Sequence, residues 1–255
     1  MQKNKRQADE GPTSDGPKNE GLDRLGSAAR QLQASSTATR QQQAVDQAVD
    51  LIASCDYAGL TMVEGGRVLT TAATSDVVWQ GDQAQYDLNQ GPCLDSVRDE
   101  HTVVCQDLTR DQRWPRWSPY VVEHLKVHSM LALLLFTTER RYGALNLYSR
   151  APNGFGTDDI VMAEALAATI AVALASADEI EQRGTAMVNR TVIGQAQGIL
   201  MERYDIASAA AFTLLQRLSQ SSNVKLVTLA TELATTRQLP GLTGSGSRAA
   251  VQEAS

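Results

Sequence analysis

The chain has 255 residues, a formal net charge of −6 and 42% hydrophobic residues, which allows one or two domains with a real core and gives no global sign of a nucleic-acid binder. Three scattered cysteines, Cys55, Cys93 and Cys105, lack CxxC or CxxxC spacing and fit a reducing cytosol better than a disulfide framework. The polar opening MQKNKRQADEGPTSDGPKNEG has no apolar signal core, and the run Met130 to Phe136 is too short to span a bilayer, so a cytoplasmic protein without membrane contact is expected.

Residues 1 to 38 are rich in Lys, Gln, Asp, Gly, Ser and Thr. Such a stretch buries too little apolar surface to offset the entropy of ordering, so it is expected to be disordered. The last fifteen residues, GLTGSGSRAAVQEAS, read the same way. From Gln41 to about Ala58 the residues Val45, Ala48, Val49, Ile52 and Ala53 recur at helical spacing and predict an amphipathic helix. Alternation from Ala58 to Val63, a Glu64-Gly65-Gly66 turn, and Val68 to Ala72 predict a hairpin. A second helix is expected from Gly91, with Pro92 in its first turn, to about Asp99. Thr102 to Cys105 reads as a short strand. A loop with Trp114, Pro115, Trp117 and Pro119 leads into a short helix ending near Lys126. Met130 to Phe136 is expected to be the central buried strand, paired through a Glu139-Arg140-Arg141 turn with Tyr142 to Tyr148. Asp158 is expected to cap an Ala-rich helix running to about Gln182. This order predicts an α+β domain with an antiparallel sheet and helices on one face.

After Gly184 the pattern is helical throughout. Val192, Ile193, Ala196, Ile199, Leu200 and Tyr204 mark one apolar stripe. Ala211, Phe212, Leu214, Leu215 and Leu218 mark a second, capped by Ser208. Leu226, Leu229, Ala230 and Leu233 mark a third, capped by Asn223 and ended by Pro240. Isolated helices this short are marginal in water, so they must pack into a bundle. Between Thr185 and Pro240 there are five basic and three acidic residues, a net of +2, against −8 for the remainder. Gly198 lies inside the first of these helices, where Gly costs about 1 kcal/mol relative to Ala. Either close helix packing or the approach of a ligand's backbone would account for it. Ala196 is expected in the core and Gly198 toward the surface.

The stretch NRTVIGQAQGILMERYDIASAAAFTLLQRLSQSSNVKLVTLATELATT resembles the ANTAR family, a three-helix module that binds RNA hairpins in bacterial antitermination. Ala196 and Gly198, Leu200 and Met201, Ala211 and Phe212, and Leu218-Ser219-Gln220 with Asn223, Lys225 and Leu226 carry the resemblance. Where the family usually has Lys or Arg between the Ala and Gly, this chain has Gln197. Asn89-Gln90-Gly91-Pro92-Cys93-Leu94-Asp95, the Asp111-x-Arg113-Trp114-Pro115-x-Trp117 segment, and Tyr142-Gly143-Ala144-Leu145-Asn146-Leu147-Tyr148 resemble GAF domains, especially those preceding ANTAR modules in actinobacterial regulators. The resemblances imply an α+β GAF domain, an antiparallel sheet with helices, followed by an all-α three-helix ANTAR bundle. The boundaries read 1–38 disordered, 39–182 GAF sensor, 183–240 ANTAR RNA-binding domain, and 241–255 disordered tail. They also imply a homodimer, a tandem-hairpin RNA target and a small-molecule signal of unknown identity, with no cofactor required for RNA binding.

The RNA-binding candidates are Arg190, Gln197, Gly198, Met201, Arg203, Arg217, Ser219, Asn223 and Lys225. Hairpin loops are read through unstacked bases and phosphates, and the arginines and Lys225 are the module's main cations. Lys225, early in its helix, opposes the helix dipole, which suggests another use. Trp114, Trp117 and Cys93 are the candidates for the GAF ligand pocket. The tryptophans are lid or core aromatics, and Cys93 is a bilin anchor, an oxidation sensor or simply part of a helix start. His124 and His128 lack a third ligand nearby, so no metal is expected. GxSxG, HExxH and P-loop motifs are all missing, so an enzyme is not expected. The alternative is a DNA-binding helix-turn-helix regulator with the same sensor, although the third helix offers few side chains for reading a duplex.

Overall fold

The computed structural model describes residues 17–99 and 101–238. The chain divides after Ala177 into two compact units.

The first unit is built on an antiparallel sheet of β1 (Tyr57–Glu64), β2 (Arg67–Ala73), β3 (Val103–Cys105), β4 (Ser129–Phe136) and β5 (Arg141–Ser149), in the order β2-β1-β5-β4-β3. Gly65 and Gly66, with φ of 56° and 80°, form the two-residue turn between β1 and β2, the backbone that a tight hairpin demands. The register places Glu64 opposite Arg67 and Val63 opposite Val68. The central strand is β5, not β4, because β1 pairs with β5 (Leu60 opposite Leu145) and β5 with β4 (Leu133 opposite Leu145). Gly143 of β5 has φ 155°, and a Cβ there would lie 1.8 Å from the Thr61 carbonyl oxygen. Only glycine fits that approach of β5 to β1.

Helices cover both faces of this sheet, not one. Leu131, Leu133, Leu135, Leu145 and Leu147 share one apolar cluster with α2 (Thr37–Leu51) and with the start of α6 (Thr157–Tyr204). Met130, Ala132, Ala144 and Tyr148 face a second cluster formed with α3 (Asp76–Leu88), α4 (Pro92–Asp99), α5 (Trp117–Tyr120) and a single π turn, Val121–Leu125. This explains why β4 reads as an unbroken apolar run: both its faces are buried. The α3 helix has no counterpart in the sequence reading. Ser75 caps it by accepting the Val77 N–H at 3.2 Å, and Asn89 ends it in the left-handed conformation.

Three further expectations are corrected. Of the segment expected to be disordered, Pro17–Ala34 forms α1. Leu25, Ala28 and Leu32 fall at helical spacing, and Ala28 and Leu32 are buried; Arg40 Nε also donates to the Leu32 carbonyl at 2.6 Å. One narrow apolar stripe suffices to dock a helix that is polar overall. Residues 1–16 of that segment and the whole of the tail expected to be disordered, 241–255, lie outside the described residues, as does Pro240. Asp159 rather than Asp158 closes the start of α6, accepting the Gly156 N–H at 2.9 Å. The helix then passes Gly184 without a break and ends at Tyr204. Among the described residues, α6 alone reaches the length and apolarity of a bilayer span, yet Ala163, Leu166, Ile170 and Leu174 are buried in the first cluster.

The second unit, from Asp178, consists of the rest of α6, α7 (Ser208–Ser222) and α8 (Leu226–Thr236). Its core is Ala196, Leu200, Ala211, Leu214, Leu215, Leu229, Ala230 and Leu233, all on the stripes read from the sequence.

Candidate nucleic-acid interface and a buried polar cluster

In the second unit Arg190, Gln197 and Met201 lie on one face of α6, since spacings of seven and eleven return close to the same side of a helix, and Gly198 lies at the edge of that face, about 80° round from Arg190. Ala196 and Leu200 occupy the buried side. Gly198 is exposed, with nothing among the described residues within 4 Å of a Cβ built on it, so close packing among them does not account for this glycine. Arg190 is exposed and has no ion pair or hydrogen bond among the described residues. Gln197 is tied into the bundle, its Nε2 donating to the Ser208 carbonyl at 3.2 Å and lying 3.4 Å from Ser208 Oγ. Ser208 therefore answers to Gln197 rather than capping α7, whose N-cap is Ala207.

Asn223 ends α7 instead of starting α8. It adopts the left-handed conformation (φ 54°, ψ 34°), and the Val224 N–H reaches back to the Ser219 carbonyl at 3.1 Å, the Schellman pattern. Asn tolerates that backbone, which is why the same residue type suits either end of a helix. Ser219 Oγ is committed to this turn, donating to the Val224 carbonyl at 2.6 Å. Lys225 is the N-cap of α8 and makes no side-chain cap. Among the described residues the first turn of α8 thus has no side-chain cap, beside an exposed cation and the exposed Asn223 amide. An uncapped helix N-terminus with a lysine is a natural phosphate seat.

Arg203 stands apart from that corner. Its Nη2 donates to the carbonyl of Arg237, the C-cap of α8, at 2.7 Å. A cation at a helix C-terminus is stabilising, so Arg203 holds the bundle together at the far end of α8, about 18 Å from Lys225 along the helix axis. Arg217 is exposed on the last part of α7. The candidates therefore form an α6 face and an α7–α8 corner, with Arg203 belonging to neither.

In the first unit the proposed pocket residues are core. Trp114 and Trp117 are buried and stack edge to face, with ring centroids 6.0 Å apart. Trp114 Nε1 donates to Asp95 Oδ2 at 2.7 Å, and Trp117 Nε1 to the Gly81 carbonyl at 2.9 Å. Both indole donors are used internally, so these rings are fixed parts of the core and not a movable lid. Cys93 is fully buried, and burial, reinforced by the charge of Asp82, pushes its thiol up to about 12. A thiol so disfavoured as thiolate is a poor nucleophile for a bilin or an oxidant. No group of three metal-ligating side chains occurs among the described residues.

Between the sheet and α3 lies a polar cluster absent from the sequence reading. Asp82 is fully buried. Its Oδ1 accepts from Tyr148 Oη, from Gln85 Nε2 at 3.1 Å and from Asn146 Nδ2 at 3.2 Å; its Oδ2 accepts from Thr70 Oγ1 at 2.8 Å. Thr70 Oγ1 also lies 2.8 Å from Tyr86 Oη, which lies 3.1 Å from Thr61 Oγ1. Asn146 Oδ1 is buried with no hydrogen-bond partner. Burial pushes the Asp82 carboxyl up to about 6, against the pull of its four donors. The visible sequence signal is an acid three residues before a glutamine on a helix that follows a Ser cap.

The GAF domain model matches residues 34–175 and the ANTAR domain model residues 181–233. No curated protein sequence matches the chain. Among solved structures, it resembles the GAF domain of an Acinetobacter phosphoenolpyruvate-protein phosphotransferase (15% identity, TM-score 0.51, covering 64% of this chain and 96% of that one). It also resembles the corresponding domain from Coxiella burnetii (14%, TM-score 0.51, 66% and 99%). A third likeness is to a bacteriophytochrome of R. palustris (14%, TM-score 0.50, 80% and 46%). At such identities the likeness shows the fold of the first unit.

Proposed function

Because the chain belongs to the GAF domain family and carries an ANTAR domain behind that sensor domain, we propose that it binds nascent RNA hairpins through residues 181–233 and thereby prevents transcription termination when its sensor is engaged. The observation that carries this reading is the α7–α8 corner, where an uncapped helix N-terminus, Lys225 and Asn223 lie together on the surface. The α6 face with Arg190, Gly198 and Met201 adds a place where a missing side chain lets an RNA backbone or an unstacked loop base approach. Such a protein works in the cytoplasm, where transcripts are made, and takes a small-molecule signal in its sensor, with no cofactor needed for RNA binding.

The target is a tandem hairpin and the protein a homodimer. Ile180 and Met187, 69% and 72% exposed, lie seven residues apart on α6, with Gly184 and Thr191 completing a three-four spacing that a second copy would cover. The DNA-reading alternative has less support. Thr231, Thr235 and Thr236 of α8 turn their hydroxyls back to carbonyls four residues earlier, and Glu232 is exposed between them, so the helix offers a duplex little to read with. Transcription in vitro through a terminator preceded by tandem hairpins tests the proposal: the protein should bind the hairpins and raise read-through, and a protein that at saturation neither binds them nor changes read-through would refute it.

A further inference from the structure

We propose that Asp82 is a proton site through which the first unit responds to acidification, an inference that rests on reading that unit as a sensor and adds a second input beside its small-molecule signal. The geometry is that of a carboxylate sealed into a helix–sheet contact without a counter-cation. The groups facing it are Gln85 and Tyr86 of α3, Gly59 and Thr61 of β1, Thr70 of β2, Asn146 and Tyr148 of β5, and Cys93 of α4. The titratable ones among them, Tyr86, Tyr148 and Cys93, are all acids, and burial pushes each of them upward. Nothing in the cluster neutralises Asp82 except a proton.

Ionised, Asp82 accepts four donors, three of them on Oδ1. A protonated carboxyl becomes a donor itself and cannot keep all four in place. Two rearrangements are built into the surroundings. The Asn146 amide, whose Oδ1 is buried and unpartnered, can rotate to present that oxygen to the new O–H. Thr70 can turn its hydroxyl to Tyr86, already 2.8 Å away. Both couple the carboxyl to β1, β2, β5 and α3 at once, so one proton changes how the helix sits on the sheet. Burial already holds the carboxyl at about 6, within reach of physiological acidification.

The reporter is built in: Trp117 donates to the carbonyl of Gly81, one residue before Asp82, at 2.9 Å. Near-ultraviolet circular dichroism and tryptophan fluorescence of the full chain, titrated between about pH 5 and 8, should show a one-proton transition with its midpoint near 6. Asp82→Asn should abolish it. That variant leaves His101, His124 and His128 in place, so a transition belonging to an imidazole would survive the substitution and overturn the proposal. If Asp82→Asn does not fold, Tyr148→Phe removes one donor from the ionised form and should move the midpoint to higher pH; an unmoved midpoint would overturn it too, as would a flat wild-type titration. No RNA enters this measurement, so its failure leaves RNA binding standing, and absent hairpin binding leaves the proton site standing.

Discussion

Gly198 carries two expectations of opposite sign. A Cβ there meets open space, so Gly198→Ala should stabilise the second unit by roughly 0.5–1 kcal/mol in denaturant unfolding. If RNA approaches this face, the same methyl should weaken hairpin affinity about tenfold, near 1.4 kcal/mol. A more stable variant with unchanged affinity would remove Gly198 from the interface. Lys225 and Arg203 separate in the same way. Lys225→Ala should make log K against log salt shallower by roughly 0.7–0.9, the contribution of one phosphate contact. Arg203→Ala should leave that slope alone and lower the second unit's stability by roughly 0.3–1 kcal/mol, because its guanidinium serves the end of α8. A slope altered by Arg203→Ala would return it to the interface. Asp82 bears on stability as well. Its folded value, about 6, lies above the ordinary 3.8, so the folded state binds the proton more tightly. Its contribution favours folding at low pH and is lost as pH rises from about 4 through 6, a loss that amounts to roughly 3 kcal/mol by neutrality. Asp82→Asn should therefore flatten that part of the pH–stability curve, whereas Asp107, held low chiefly by the Thr109 hydroxyl, acts in the opposite direction in both proteins.

At the level of elements, α6 makes the sharpest demand. Every residue from Glu179 to Val188 is exposed, including Ile180, Met187 and Val188, and so short a helical stretch with no packing is marginal in water. Ile180→Glu with Met187→Glu should shift the protein from dimer to monomer in sedimentation velocity without unfolding either unit; a doubly substituted protein that remains dimeric would place the contact elsewhere. The same elements show what the sequence reveals. The three stripes of the second unit were legible because their buried residues are apolar and regularly spaced. The α3 helix was not, because its buried positions include Gly81, Asp82 and Gln85, which periodicity reads as solvent-facing. With α3 went the polar cluster, the part of the candidate site that spacing could not supply. By residue type Asn223 reads as the N-cap of α8, because the left-handed backbone that makes it the end of α7 shows only in three dimensions.

For the whole molecule, one chain joins a sensor fold, whose interior holds a buried, hydrogen-bonded carboxyl, to a small bundle whose surface exposes an uncapped helix end and a bare stretch of helix. The overall charge of −6 conceals this division, since the surplus of acid lies outside the segment of net charge +2. The RNA binding proposed for this bundle would depend on where a few cations and backbone donors sit, not on bulk charge. The most direct measurement is competition between a labelled tandem-hairpin RNA and duplex DNA of equal charge for the full-length protein at fixed salt. The RNA should remain bound against a large excess of duplex, and Lys225→Ala should reduce its affinity. Duplex DNA that displaces the RNA at equal concentration would contradict the assignment of this protein as a reader of RNA hairpins.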